Sequence, residues 1–364
     1  MGTQMPESRE GRSWISERGW LIAAAVVVVL VLGAVAFIVS GAGMPFAAGP
    51  YGQQGAATSG QQPAAPKAYV GLFKDSAVAV LDTGTNRVLS KISIPAGPHG
   101  LVATPDGRRV YVSSDGDSVV SVIDTASDKV AGSINVGKAP HGLAITPDGK
   151  TLLVAVFGAN QLAFVDTASN QVTGELPVAN PHNIAISPDG RSAYVAAQGQ
   201  GGTGLAIIDL GSRTQTKMMP LDKTPRALGF SPDGKLLYFT QSGLSTVQVL
   251  DPATNEVKSQ VPVGASPHHP LFTPDGKTAL VVDQGPNDLS IIDPAAGTVS
   301  ATVQVGQMPH WIAVTADSRT AYVTDENSND ISVVDIASRR VTGTVPVGNA
   351  PRKIVILPRG GTQR

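Results

Sequence analysis

From Lys67 onward, short runs of apolar residues alternate with polar ones, and Gly, Pro, Asp and Asn separate the runs. Within one such stretch, His141–Thr146, Thr151–Phe157, Leu162–Val165 and Gln171–Val178 each read as a strand. Val, Ile and Thr dominate their apolar positions, which suits stacked pleated sheets, and a 3.6-residue helical period is absent. Pro147-Asp148-Gly149 between the first two runs supplies turn chemistry: Pro presets φ, Asp bonds its own backbone, and Gly accepts a positive φ.

This four-strand unit recurs. An apolar residue followed by Asp marks Asp82, Asp124, Asp166, Asp209, Asp251, Asp293 and Asp335, at spacings of 42, 42, 43, 42, 42 and 42. Pro98, Pro140, Pro181, Pro225, Pro267, Pro309 and Pro351 keep nearly the same beat. The Pro-Asp-Gly turn recurs at Pro105, Pro147, Pro188, Pro232 and Pro274, then decays to Ala316-Asp317-Ser318 and Pro358-Arg359-Gly360. Four strands at a period of about 40–45 residues predict an all-β fold, a seven-bladed β-propeller over 67–360. The repeat opens with three strands (Lys67 to Ile94) and closes with one (Arg352 to Leu357). The last strand is therefore expected to complete the first blade, closing the ring and covering its free edges.

The N-terminus breaks the pattern. Trp20 to Val39 is apolar and uncharged over 20 residues, long enough for a helix to span a bilayer core. Arg9, Arg12 and Arg18 precede it, and the next basic residue is Lys67, so the N-terminus is expected inside and the body outside. The expected layout is a cytoplasmic segment 1–18, a transmembrane signal anchor 19–40, a flexible Gly/Ala/Gln/Pro linker 41–66, and the propeller. That places the protein in the cytoplasmic membrane as a single-pass chain with a periplasmic or extracellular body. A cleaved signal peptide, processed near Phe46-Ala47-Ala48-Gly49, is the alternative reading.

The chain has no Cys, which removes disulfides, thiolate metal ligands and a cysteine nucleophile. A net charge of −1 without basic runs disfavours nucleic acid. No nucleophile elbow, phosphate loop or HExxH appears. Gln200-Gly201-Gly202-Thr203-Gly204 has no following helix and reads as a loop. The Asp after each third strand, and those of the Pro-Asp-Gly turns, read as turn-forming.

All six histidines share one place in the repeat. His99, His141, His182, His268 and His310 each follow the Pro before an innermost strand, His269 follows His268, and Arg226 and Arg352 fill the remaining two positions. These residues are expected to ring one mouth of the central channel. They could serve the fold by bonding neighbouring backbone, or form a site for a small anionic ligand or an envelope protein. A transition metal, placed at His268 and His310, is the cofactor expectation. Counting across the hairpins sets His310 against Asp325, His268 against Asp283, Arg226 against Gln241 and His99 against Ser114, while His141 and His182 face Val156 and Ala197. The expected polar sector thus joins Arg226, His268, His310, Asp283 and Asp325, with Trp311 beside it. The competing expectation makes Asp283 and Asp325 the start of solvated loops.

Tyr322-Val323-Thr324-Asp325, Tyr111-Val112-Ser113 and Tyr194-Val195-Ala196 carry a resemblance. On them the body resembles the YVTN-type seven-bladed β-propeller repeat family of bacterial and archaeal surface-layer and periplasmic proteins. That resemblance implies architecture and leaves activity open, because propellers host binding scaffolds, lyases, lactonases and redox centres. The histidine ring is similar to that of the nitrous oxide reductase propeller, which holds a copper cluster, but departs from it at Arg226 and Arg352. A membrane-tethered binding module is the favoured expectation, monomeric because a closed ring needs no second chain. A metal-dependent or redox enzyme, or a lactonase-like or lyase-like propeller, is the alternative.

Overall fold

The computed structural model describes residues 65–199 and 202–358. The expected anchor at 19–40, nearly all of the linker, and Gln200 and Gly201 lie outside them. Among the described residues, no helix is long and apolar enough to cross a membrane.

Seven four-stranded antiparallel sheets form seven blades. Blade 1 joins Pro351–Ile356 to Lys67–Leu72, Ala77–Asp82 and Arg87–Ser93, so the C-terminal strand closes the ring as expected. Blades 2 to 7 follow in sequence order, with innermost strands Pro98–Ala103, Pro140–Ile145, Pro181–Ile186, Pro225–Phe230, Pro267–Phe272 and Pro309–Val314. The hydrophobic core lies between blades. Tyr69, Val78, Val80 and Ile92 of blade 1, for instance, pack on Leu101, Val110, Val112 and Ile123 of blade 2.

The turns behave as their chemistry dictates. Gly107 of the first Pro-Asp-Gly turn sits at φ +69°, and Ser318 takes the same left-handed place in the degenerate copy. Asp106 Oδ1 accepts from Thr104 Oγ1 and the Arg108 amide. Asp124 accepts from the Ser127 amide and hydroxyl, and Asp166 does the same with Ser169. Both sets of repeated aspartates are turn formers.

The Tyr of the YVT-like tetrapeptides is a clasp between blades. Tyr111 donates to Asn170 Oδ1 of blade 3 at 3.0 Å, and Tyr322 to Asn86 Oδ1 of blade 1 at 2.8 Å. Tyr69 and Tyr194 reach Asp128 and Asn255 in the same way. The acceptors all lie at φ between +53° and +57°, where Asn and Asp are tolerated best. Tyr238 has no such partner because the equivalent turn residue of the next blade is Gly297, which has no side chain. Tyr111→Phe should therefore cost about 1–2 kcal/mol, since it leaves the half-buried Asn170 acceptor without its donor. Urea unfolding of the variant checks this, and an unchanged midpoint would contradict the clasp.

Candidate functional site

Each innermost strand enters the channel through Pro, and the backbone just before it is strained. Ala139, Asn180, Ser266, Met308 and Ala350 sit at φ +40° to +56°, ahead of five of the seven prolines. Non-Gly residues in this region persist where the surrounding structure over-determines them. The determining contacts are hydroxyls of the preceding blade. Thr324 Oγ1 donates to the Arg352 carbonyl at 2.6 Å, Thr240 Oγ1 to that of His268 at 2.5 Å, and Ser113 Oγ to that of His141. The same oxygens accept the amides of Trp311, Ala227 and Gly100. Arg352, His268 and His141 are thus held through their main-chain carbonyls.

The register differs from simple hairpin counting by one residue. It is Pro309, Pro267, Pro225 and Pro98 that face Asp325, Asp283, Gln241 and Ser114, because each pair is followed by a bulge. The expected pairs His310–Asp325 and His268–Asp283 are therefore not formed. Nor do Asp283 and Asp325 start solvated loops, since both are fully buried. Asp283 lies opposite Asp288 and accepts from Ser290 Oγ at 2.6 Å. Asp325 lies opposite Asp330 and accepts from the Ser332 hydroxyl and amide. Burial pushes both carboxyls up to about 7.

The histidines at the ring positions lie in two arcs, with Arg226 and Arg352 at the positions between them. His99, His141 and His182 form one arc: the first two rings stack at 4.3 Å, and His182 meets them edge-on at 5.4 and 5.3 Å. Phe157 stacks on the outer side of His141 at 4.5 Å. His268 and His310 form the other arc at 4.3 Å. Arg352 pairs with Glu326 at 3.0 Å and lies over the Phe73 ring, whereas Arg226 reaches Gln284 Oε1 and Ser266 Oγ, both neutral.

Below the ring lies a layer that sequence reasoning missed, apart from Trp311. The residues following the ring positions are Gly100, Gly142, Asn183, Ala227, His269, Trp311 and Lys353. Lys353 Nζ donates to Asn183 Oδ1 at 3.0 Å, although the two strands belong to blades 1 and 4. It lies 4.0 Å over the Trp311 ring, and His269 stacks on the same indole at 3.5 Å. Asn183 in turn donates to the Arg226 carbonyl. Trp311 also borders an apolar cavity of about 480 Å³, which Leu101, Val314, Ile354 and Ile356 help to line. The readable signal for this layer was its repeat position, one residue after each ring residue.

Burial dominates the electrostatics. It holds the imidazoles of His141 and His268 down to about 3 and that of His182 to about 4, so all three are neutral. Neighbouring cations push the same way: Arg226 and Lys353 both oppose protonation of His182 and His268. Burial likewise holds the Lys353 amine down to about 7. His182 Nδ1 lies 3.3 Å from the Arg226 carbonyl, and His268 bonds the His310 backbone, as a structural role would require. No such bond is formed by His99, His141 or His310, and Nδ1 of His99, His141, His268 and His310 is buried without a partner. Buried polar atoms are ordinarily satisfied, so these orphans point to a ligand.

Among the described residues, three ligand atoms within 4.8 Å of one another occur at one place, His99, His141 and His182. The metal expectation at His268 and His310 gains no third ligand of this reach. The nearest carboxylate to His310 is Glu326, 4.0 Å away, which is already engaged by Arg352.

Residues 67–145 match the YNCE-like beta-propeller family. A comparison with curated proteins finds no match. Among solved structures, hydrazine synthase of Kuenenia stuttgartiensis is similar at 20% identity and TM-score 0.69, over 78% of this chain and 98% of that one. A functionally unknown protein from Desulfotomaculum acetoxidans is similar at 17% identity and TM-score 0.70, over 80% and 99%. Apo AztD from Citrobacter koseri is similar at 17% identity and TM-score 0.63, over 81% and 98%. Identities this low carry the fold and no activity. In fold this chain is a seven-bladed β-propeller, and residues 67–145 of it are similar to the YNCE-like family.

Proposed function

We propose that this protein is a binding propeller that captures a small carboxylate- or phosphate-bearing ligand at its His/Arg mouth. One observation carries the reading: half-buried Arg226 and buried Lys353 both lie without a carboxylate partner. Arg226 meets only Gln284 and Ser266, and Lys353 only Asn183 and the Trp311 face. An unpaired cation in such a place costs several kcal/mol, and an anion seated between them offsets that cost. Arg226 presents a planar fork suited to two oxygens of a carboxylate or phosphate, while neutral imidazole N–H groups add donors without adding charge. The enzyme alternative loses one of its supports, because the expected pairs His310–Asp325 and His268–Asp283 are not formed. In the same reading, residues 19–40 hold the propeller at the outer face of the cytoplasmic membrane.

Calorimetric titration with inorganic phosphate and with citrate tests the reading. Arg226→Gln should weaken whichever anion binds by at least about tenfold, the loss of one charge-assisted contact. Equal affinity in the variant, or no binding of either anion by the wild type, would contradict it.

A further inference from the structure

The anion reading rests on Arg226 and Lys353 and leaves the orphaned ring nitrogens of His99 and His141 without an account. We propose that His99, His141 and His182 together bind a single borderline transition-metal ion, Zn²⁺ or Cu²⁺. These side chains come from three consecutive blades, and each offers a ring nitrogen within 4.8 Å of the other two. Tetrahedral coordination at about 2.0–2.1 Å requires nitrogens about 3.3 Å apart, so the rings need only turn inward.

The chemistry of the donor set is selective. It contains three imidazoles and neither thiolate nor carboxylate, a combination that suits Zn²⁺ or Cu²⁺ and not Ca²⁺ or Mg²⁺. Each ligand must be neutral to coordinate. Nδ1 of His99 and of His141 is buried with nothing to bond, although the His141 carbonyl accepts from Ser113 Oγ. A structural histidine has no reason to be left in that state.

An outer group is present to orient one of the rings. The Asp115 carboxylate lies 3.6 Å from His141 Nε2. A proton held on that nitrogen leaves His141 Nδ1 as a lone pair, and such partners fix the tautomer of metal-binding histidines. Phe157 covers the other face of His141 at 4.5 Å and shields the arc on that side. Arg226 and Arg352 on either side of the arc disfavour a multinuclear cluster and leave room for one ion. Three protein ligands leave a fourth position open to water or to a ligand oxygen.

The test uses full-length protein, kept in detergent, purified without a polyhistidine tag and stripped with a chelator. Titration with ZnCl₂ or CuSO₄ in phosphate-free buffer should give one ion per chain, and Cu²⁺ should show hyperfine coupling to three nitrogens in electron paramagnetic resonance. His141→Ala should abolish stoichiometric binding, and Asp115→Asn should weaken it by about 10–100-fold. No bound ion, coupling to fewer than three nitrogens, or an ion retained by His141→Ala would overturn the proposal. Because the nitrogen count is read on wild-type protein, it decides the matter even if a variant folds poorly. Phosphate and citrate titrations of the stripped protein keep failure here distinct from failure of the anion reading.

Discussion

Lys353→Met should make the propeller more stable by about 3–5 kcal/mol at pH 6.5 and should abolish its affinity for the anion. The lysine is 3% exposed, lies over Trp311, and is bonded to one neutral oxygen. Its amine titrates near 7 in the folded protein, against about 10.5 in an unfolded chain. Between these values the unfolded state binds the extra proton, so stability falls as pH drops from about 10.5 to 7 and stays low beneath it. Met fills a similar volume without the charge, and the orphaned Asn183 oxygen returns only about 1 kcal/mol of the gain. Guanidinium unfolding at pH 6.5 and 10.5 should show a large gain at the lower value and little at the higher. A lysine kept at such a cost is what a site for an anion requires, whereas a variant that is more stable and still binds phosphate or citrate would separate Lys353 from the ligand.

The buried carboxyls give the opposite pH dependence. Asp325 holds its proton to about pH 7 when folded, whereas an unfolded aspartate loses it near 4. Across that interval the folded state binds more protons, so its contribution, complete below about pH 4, is lost as pH rises through 7, a total of about 4 kcal/mol. Asp325→Asn keeps an oxygen for the Ser332 hydroxyl and amide and places an NH₂ where the carboxyl met Asp330. The variant should match wild type at pH 4 and exceed it by about 3–4 kcal/mol at pH 8. Asp283, facing Asp288 in the equivalent hairpin, should behave in the same direction. Urea midpoints measured at both pH values decide the matter, and parallel pH curves for the two proteins would contradict the buried, protonated state.

Much of the fold was readable because a propeller writes its architecture as a period. The recurring Asp, Pro and Pro-Asp-Gly marks located every blade, and the split of the repeat between Lys67 and Arg352 predicted the closure. The ring was readable for the same reason: five of the six histidines share one repeat position. What escaped reading depended on one residue of register and on distance in sequence. The bulge after each channel Pro moves the cross-strand partner from the histidine to the proline, so Asp283 and Asp325 turn into their own hairpins rather than toward the ring. Lys353 stood unnoticed in the last strand because its role arises only when ring closure brings it to Asn183, 170 residues earlier. The choice between histidine arcs was likewise hidden, since it turns on the distances between ring nitrogens.

The central claim, that the mouth ringed by histidine and arginine is an anion site, is tested most directly by anomalous diffraction from crystals soaked in sodium bromide. Bromide reports where an exchangeable anion is held, without any assumption about the natural ligand. The account predicts a strong peak beside Arg226 and Lys353, framed by the imidazoles of His182 and His268. Bromide confined to the outer surface of the blades, with the channel mouth empty, would contradict it.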